Sequence, residues 1–136
     1  MIYDSFAPEL VSGDISPSTD TFFLLLVSGY TFDPKHSRRS HVEESEVTAS
    51  GYTKGGKTCP VVVKKIGGSV SLEFQAVRWD ISGGLSARGA VVYKSRGGAS
   101  SADELVTYLD FGKLVTCTDS TFTAHFQNAL GILTSN

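Results

Sequence analysis

Residues 85–111 have the sequence LSARGAVVYKSRGGASSADELVTYLDF, which predicts a β-hairpin. The first half places small and apolar side chains on both sides of an extended chain: Ala87, Gly89, Val91 and Tyr93 on one, and Ala90 and Val92 on the other. A strand that is apolar on both faces belongs in the centre of a sheet. Residues 95–101 are small or polar and include two glycines, and residues 105–111 are apolar again. The stretch therefore predicts two antiparallel strands joined by an exposed loop.

Length, charge and hydropathy limit the class of protein. The 136 residues fit one domain that can bury a core without metal or disulfide staples. The formal net charge of −2 gives no general attraction to nucleic acid or to anionic lipid. Aromatic residues alternate mostly with Ser, Thr and aliphatic residues, so we expect no nucleic-acid-binding face. The longest apolar run, residues 22–27, is far shorter than the roughly 20 residues that cross a bilayer, so we expect no membrane segment.

Short strands recur along the rest of the chain, separated by turns that are rich in glycine. Trp79, the only tryptophan, follows a clearly alternating strand, and we expect it to anchor the core. The predicted strands are residues 21–28, 58–65, 69–76, 87–93, 105–111, 113–117, 122–126 and 131–133. Residues 1–13 predict a short helix turn, which Pro8 weakens. We therefore predict an all-β fold with a single domain over residues 1–136. It is an antiparallel β-sandwich or jelly roll of about eight short strands with a short N-terminal helix turn.

Residues 29–50 are the least regular part of the sequence, and we expect an irregular charged loop or a short surface helix there. Ser40 and Glu43 have the spacing of a capping box. A basic half around Lys35, Arg38 and Arg39 precedes an acidic half at residues 43–46. Two interpretations stay open: a solvated loop with local ion pairs, or an electrostatic docking arm for a partner. We expect these charges to be exposed and to contribute little to stability.

Side chains that could carry chemistry are scattered. His36 and His41 lie in the irregular loop, where we expect solvated surface and no metal site. His125 could be combined with Ser120 or Asp119, but no serine has the glycine pattern of a nucleophile elbow. We therefore predict no catalytic residue, no metal and no cofactor, and we expect that the protein is not an enzyme.

Three further patterns in the sequence indicate no chemical role. Residues 54–57, KGGK, lack the spacing of a phosphate loop and predict a glycine turn. Cys59 and Cys117 resemble small buried hydrophobic residues, and whether they pair stays open. Residues 1–4 are mixed and acidic, unlike the start of a signal peptide, so we expect the protein to be made in a reducing cytosol.

Several short motifs occur along nearly the whole chain in a recognisable order. They are DTF at residues 20–22 with Leu24 and Leu26, GYT at 51–53 with GG at 55–56, Trp79, AVVYK at 90–94, LDFG at 109–112, TFT at 121–123 and GIL at 131–133. This order resembles a family of small β-rich virion structural proteins of tailed bacteriophages. It is similar to the capsid decoration, or cement, proteins of that family.

The resemblance implies a non-enzymatic virion protein that is assembled in the bacterial host cytoplasm. The expected partners are the major capsid protein lattice or other virion proteins, and the protein is expected to form a homo-oligomer. A position in the tail or neck of the particle is the alternative within the family. A component of this kind needs a rigid scaffold with loops for contact.

Two segments meet the requirements of a contact surface, namely the apolar N-terminus and the charged loop. The partner-binding residues that we predict are Ile2, Tyr3, Phe6, Lys35, Arg38 and Arg39. An apolar terminus is usually buried, either against a neighbouring molecule or against its own domain. A different class of function is a carbohydrate- or receptor-binding β-sandwich module, in which Trp79, Tyr52 and Tyr30 would stack on the ligand. A role of these aromatic residues in the core is the competing interpretation.

Overall fold

The computed structural model of the protein describes residues 1–126 and 130–134, with residue 66 and residues 130–134 described as backbone only. The described chain is rich in β-strands, with antiparallel sheets and one short α-helix, α1 (Phe6–Ser12). The strands are β1 (Phe22–Val27), β2 (Lys57–Thr58), β3 (Val61–Ile66), β4 (Ser69–Phe74), β5 (Val77–Asp80), β6 (Gly84–Lys94), β7 (Leu105–Thr118), β8 (Thr121–Ala124) and β9 (Leu130–Thr134).

Three antiparallel sheets contain these strands. The largest has the order β2-β1-β6-β7, and the two smaller sheets have the orders β3-β4-β9 and β5-β8. The predicted hairpin is confirmed as β6 and β7, which pair along most of their length. β6 is an inner strand of the largest sheet, and β7 is its edge strand. β5, which contains Trp79, is a strand that the sequence analysis did not predict.

β1 and the second half of β6 are buried on both faces of the four-stranded sheet. Leu24 and Leu26 of β1 lie in a cluster, here called the main core, that includes residues of β4, β5 and β8. Leu25 and Val27 lie in a separate cluster on the other face, here called the second core. The strict alternation arises because successive side chains of a strand point to opposite faces. The sequence correctly predicted β1 as apolar on both faces.

Two details of the hairpin correct the sequence prediction. β7 is one strand of 14 residues, whereas two strands at 105–111 and 113–117 were predicted. Its pairing with β6 shifts register, because Ala87 is opposite Val115 but Gly89 is opposite Asp110. Ala87 consequently lies in the main core together with Ala90, on the opposite side from that predicted. A β-bulge changes the phase of the alternation in this way.

Gly89 is required at this irregular point of the hairpin. A Cβ atom built on it would lie 2.5 Å from two atoms of the Tyr108 phenol and 2.7 Å from the Leu109 carbonyl oxygen. The Tyr108 side chain therefore crosses β6 where β6 has no side chain. The tyrosine contributes its ring to the second core.

The N-terminus is held against β7. The predicted helix turn is confirmed as α1, which ends at Gly13 in the left-handed conformation with φ of 87°. Ile2 pairs with Thr107 in an antiparallel bridge, and the Met1 carbonyl accepts a hydrogen bond from the Tyr108 amide at 2.8 Å. The first three residues therefore extend the four-stranded sheet.

Residues 29–50 are an ordered loop and contain no α-helix. Two 3-10 turns, Arg39–His41 and Glu43–Ser45, replace the short helix, and the capping box predicted from Ser40 and Glu43 is not formed. The Val47 amide donates to the Leu26 carbonyl at 3.0 Å. Val42 between the two turns is fully buried in the second core. The loop thus covers one face of the sheet.

Candidate interaction surface

Arg39 is held between the loop and the central hairpin. Its Nε donates to Oδ2 of Asp103 at 2.8 Å, and its guanidinium lies over the Tyr93 ring at 5.2 Å. The two charged side chains are 18% and 2% exposed. Burial acts to lower the pKa of Arg39, but the hydrogen bond and charge of Asp103 outweigh it and the pKa is raised. The expectation that Arg39 is an exposed charge is therefore wrong. Its role in binding a partner stays a prediction.

Arg38 joins the loop to α1. Its Nη1 donates to Oε2 of Glu9 at 3.0 Å, and its backbone forms a bridge with Glu104. Burial of the Glu9 carboxyl raises its pKa, although the positive charge of Arg38 opposes that shift. The Asp4 amide also donates to a loop carbonyl, that of Pro34, at 2.8 Å. The two segments predicted to bind a partner, the N-terminus and the charged loop, therefore lie side by side.

The hairpin loop carries further ion pairs at the same end of the sheet. Arg96 binds both carboxylate oxygens of Glu104, at 2.8 and 2.6 Å. Burial acts to raise the pKa of Glu104, but the hydrogen bond and charge of Arg96 lower it below its ordinary value. Lys94 pairs with Asp20 at 3.1 Å. These cations are neutralised by acidic side chains of the same chain, so this end of the sheet is not a basic patch.

The histidines of the loop accept or share hydrogen bonds within the chain. Tyr3 and Tyr30 join their hydroxyl groups at 2.9 Å, and the Tyr30 hydroxyl lies 2.9 Å from Nδ1 of His36. Nδ1 of His41 accepts from the amide of Ser37 at 3.1 Å and also from the next amide along the chain. The Tyr3–Tyr30 contact joins the loop to the N-terminus, and the histidine contacts lie within the loop. Among residues 1–126 and 130–134, no group of three or more His, Cys, Asp and Glu side chains is arranged to hold a metal ion.

The predicted N-terminal contact residues divide into two groups. Tyr3 and Phe6 are buried in this chain's own cores, which is one of the two alternatives that the sequence left open. Ile2 is 39% exposed, and Val11 on α1 is 88% exposed. Met1, Ala7 and Pro8 are also exposed, and we call these five residues the N-terminal apolar surface.

Sequence analysis did not single out Val11, although a signal was present. Positions 7, 8 and 11 share one face of a helix, and all three residues are uncharged and exposed. The opposite face, with Phe6 and Glu9, is buried. Lys35, also predicted to bind a partner, is exposed on the neighbouring loop.

Two of the residues considered for catalysis, Asp119 and Ser120, occupy structural positions, whereas His125 is exposed. Asp119 accepts the Gly83 amide at 2.7 Å and has a positive φ of 47° in the turn before β8. The Ser120 hydroxyl lies 3.1 Å from Sγ of Cys117. Cys117 and Cys59 are free buried thiols and do not form a disulfide. Burial raises the pKa of the Cys59 thiol to about 12, which leaves it in its unreactive protonated form.

The aromatic residues considered for carbohydrate stacking are buried and do not form a common surface. Trp79 packs against Tyr52 in the main core, with ring centroids 5.5 Å apart. Tyr30 lies in the second core, on the other face of the four-stranded sheet. Their positions support the interpretation that they are core residues.

Comparison with known proteins adds no relative to this description. No family model matches the chain, and neither a curated protein nor a solved structure matches it significantly. Within the part of the chain that the structure describes, no helix is long and apolar enough to span a membrane.

Proposed function

We propose that this protein is a non-enzymatic structural protein of a bacteriophage particle, namely a capsid decoration protein. It binds the lattice of the major capsid protein, and it acts as a homo-oligomer. The order of short motifs from residue 20 to residue 133, which resembles small β-rich virion proteins, supports this proposal. The proposal includes the finer architecture, in which the four-stranded sheet and the two small sheets pack as the layers of a β-sandwich around the main core.

The observation that carries the proposal is the N-terminal apolar surface. Val11 and Ile2 are exposed, yet the segment that carries them is fixed by the Ile2 bridge to Thr107 and by burial of Tyr3 and Phe6. A rigid apolar surface loses little conformational entropy when it binds. Apolar anchors with a polar rim are typical of protein interfaces, and exposed Lys35 with half-buried Arg38 supplies such a rim.

Repetition explains how such a small surface could suffice. Each apolar contact is weak on its own, but a lattice presents many equivalent sites to an oligomer. Linked binding events raise the overall affinity by orders of magnitude without any new contact. The proposed contact surface therefore consists of Met1, Ile2, Val11 and the neighbouring rim, and not of the sheet faces that form the cores.

Substitution of the exposed valine tests this proposal. Val11→Lys places a charge in the proposed interface and should reduce co-sedimentation of the purified protein with undecorated capsid shells at least tenfold. Val62→Lys is the matched control, since Val62 is also exposed but lies on β3, where the new lysine would be opposite Glu73. The control should bind as wild type does. Equal binding by wild type, Val11→Lys and Val62→Lys would show that the N-terminal apolar surface is not the contact.

A further inference from the structure

Three described sheet edges of this protein are protected against pairing with another chain. β2 is only two residues long, and Val47 and Glu46 bond beyond it along β1. The first part of β7 is covered by residues 1–3. Edge strand β3 follows Pro60 and carries exposed Lys64 and Lys65. Short strands, proline and lysine are the usual devices that prevent edge-to-edge association.

The second half of β7 begins with a lysine, Lys113, but the residues after it include no lysine or proline. Residues 113–118 have the sequence KLVTCT, which is rich in residues that favour strands. Leu114 is 53% exposed, and Thr116 and Thr118 are exposed too. This part of β7 pairs with β6 on one side, and no other described residue pairs with it. An exposed strand edge of this kind is a template for another strand.

We propose that residues 114–118 pair with the same residues of a second copy, so that two four-stranded sheets join into one continuous antiparallel sheet. A closed two-fold pair is the simplest symmetric assembly. A two-fold axis perpendicular to the sheet requires that opposite residues lie on the same face, so their numbers must have the same parity. Centring the axis on Thr116 fulfils this condition.

Charge favours this register and a second copy as the occupant. With Thr116 opposite itself, Leu114 lies opposite Thr118, and Lys113 lies next to the bend of the second copy that contains Asp119, whose Oδ1 accepts the Gly83 amide within its own chain. The pairing thus places a cation near an acidic bend at each end and brings no like charges together. Opposite charges across neighbouring strands stabilise a pair, whereas like charges destabilise it. Leu114, the most exposed apolar residue of the strand, gains a cross-strand neighbour.

Disulfide formation tests both the pairing and its register. Directly opposite residues have Cα atoms about 4.5–5.5 Å apart, within the range that a disulfide bridges. Thr116→Cys should therefore give a covalent dimer under mild oxidation. Thr118→Cys should not, because two such residues would be about 13 Å apart at about 3.3 Å per residue. A mixture of Leu114→Cys and Thr118→Cys proteins should give a covalent heterodimer.

The native thiols provide the background control, because Cys59 and Cys117 are buried and wild type should form no covalent dimer. Light scattering after size-exclusion chromatography provides a second, independent measurement. Wild type should elute as a dimer, and Thr116→Lys, which places two lysines at the axis, should be a monomer. The matched control is Thr58→Lys on β2, an exposed edge threonine elsewhere, which should remain dimeric.

Three results would overturn the proposal: monomeric wild type across a concentration series, equal cross-linking by Thr116→Cys and Thr118→Cys, or a Thr116→Lys protein that stays dimeric. All of these measurements use the purified protein alone. Their outcome is therefore independent of whether the protein binds a capsid.

Discussion

The ion pair of Arg39 and Asp103 should be a major local contribution to stability. It joins residues that are 64 positions apart in the sequence and fixes the loop of residues 29–50 on the hairpin loop. Replacing Arg39 with leucine would leave a carboxylate that is 2% exposed with one remaining donor, the Arg96 amide at 2.9 Å. The variant would also lose the contact of the guanidinium with the Tyr93 ring.

The expected loss can be estimated from these contacts. Removing one partner of a fully buried ion pair costs about 3–5 kcal/mol. Because the Arg39 side chain is 18% exposed and Asp103 keeps a backbone donor, we expect a loss of about 2–4 kcal/mol for Arg39→Leu. Asp103→Asn should cost a similar amount, since it leaves the guanidinium without its carboxylate. Lys35→Leu, on the same loop but exposed, should change the free energy of unfolding by less than about 0.5 kcal/mol.

Urea unfolding followed by fluorescence can measure these losses, because Trp79 is the only tryptophan and is buried in the main core. The double variant Arg39→Leu/Asp103→Asn removes both charges together. Its loss should be smaller than the sum of the single losses by at least about 1.5 kcal/mol. If the loss of the double variant equals the sum of the two single losses within about 0.5 kcal/mol, the coupling of these two residues is refuted. Losses for Arg39→Leu and Asp103→Asn no larger than that for Lys35→Leu would also contradict the predicted contribution of the ion pair.

Three further predictions concern the core and its ionisable groups. Gly89→Ala should cost about 1–3 kcal/mol of unfolding free energy, because its methyl group would overlap the Tyr108 ring. Gly84→Ala on the same strand has nothing within 4 Å of the added atom, and equal losses for the two variants would contradict this account. Burial raises the pKa of the Cys59 thiol to about 12, so this thiol should react with a thiol reagent at neutral pH only as fast as the protein unfolds. A reaction as fast as that of an unfolded control would contradict this prediction. The lowered pKa of Glu104 means that its stabilising contribution is present above about pH 4.3, the ordinary value for glutamate, and is lost as pH falls through the lower pKa of the folded state. The difference in stability between wild type and Glu104→Gln should therefore narrow as the solution is acidified through that range, and a constant difference would contradict the assignment.

The strands could be predicted where their signal is local. Alternation with a period of two is a property of adjacent residues, so β1, β4 and the central hairpin were found from the sequence. The bulge near Gly89 could not be found in this way. It is a mismatch between two strands, since one residue of β6 lies between pairing positions that four residues of β7 separate, and no pattern within β6 reports it. The same limit explains the missed strand β5, which is short and, among the described residues, pairs only with β8.

The candidate surface was predictable only in part. Composition identified an apolar N-terminus, but it could not separate the buried residues Tyr3 and Phe6 from the exposed residues Ile2 and Val11. That division depends on which helix face meets the cores. Likewise, a basic tract in an irregular segment indicated exposed charge, whereas the acidic partner of Arg39 comes from a distant loop. Pairing across such a distance is decided by tertiary structure and is invisible to local patterns.

Quantitative mass spectrometry of purified phage particles tests the proposed function most directly. The protein should be present on the order of hundreds of copies per particle, in fixed ratio to the major capsid protein, because decoration follows the symmetry of the shell. About a dozen copies or fewer would place it in the tail or neck and contradict decoration. Its absence from washed particles would contradict a structural role in the virion altogether.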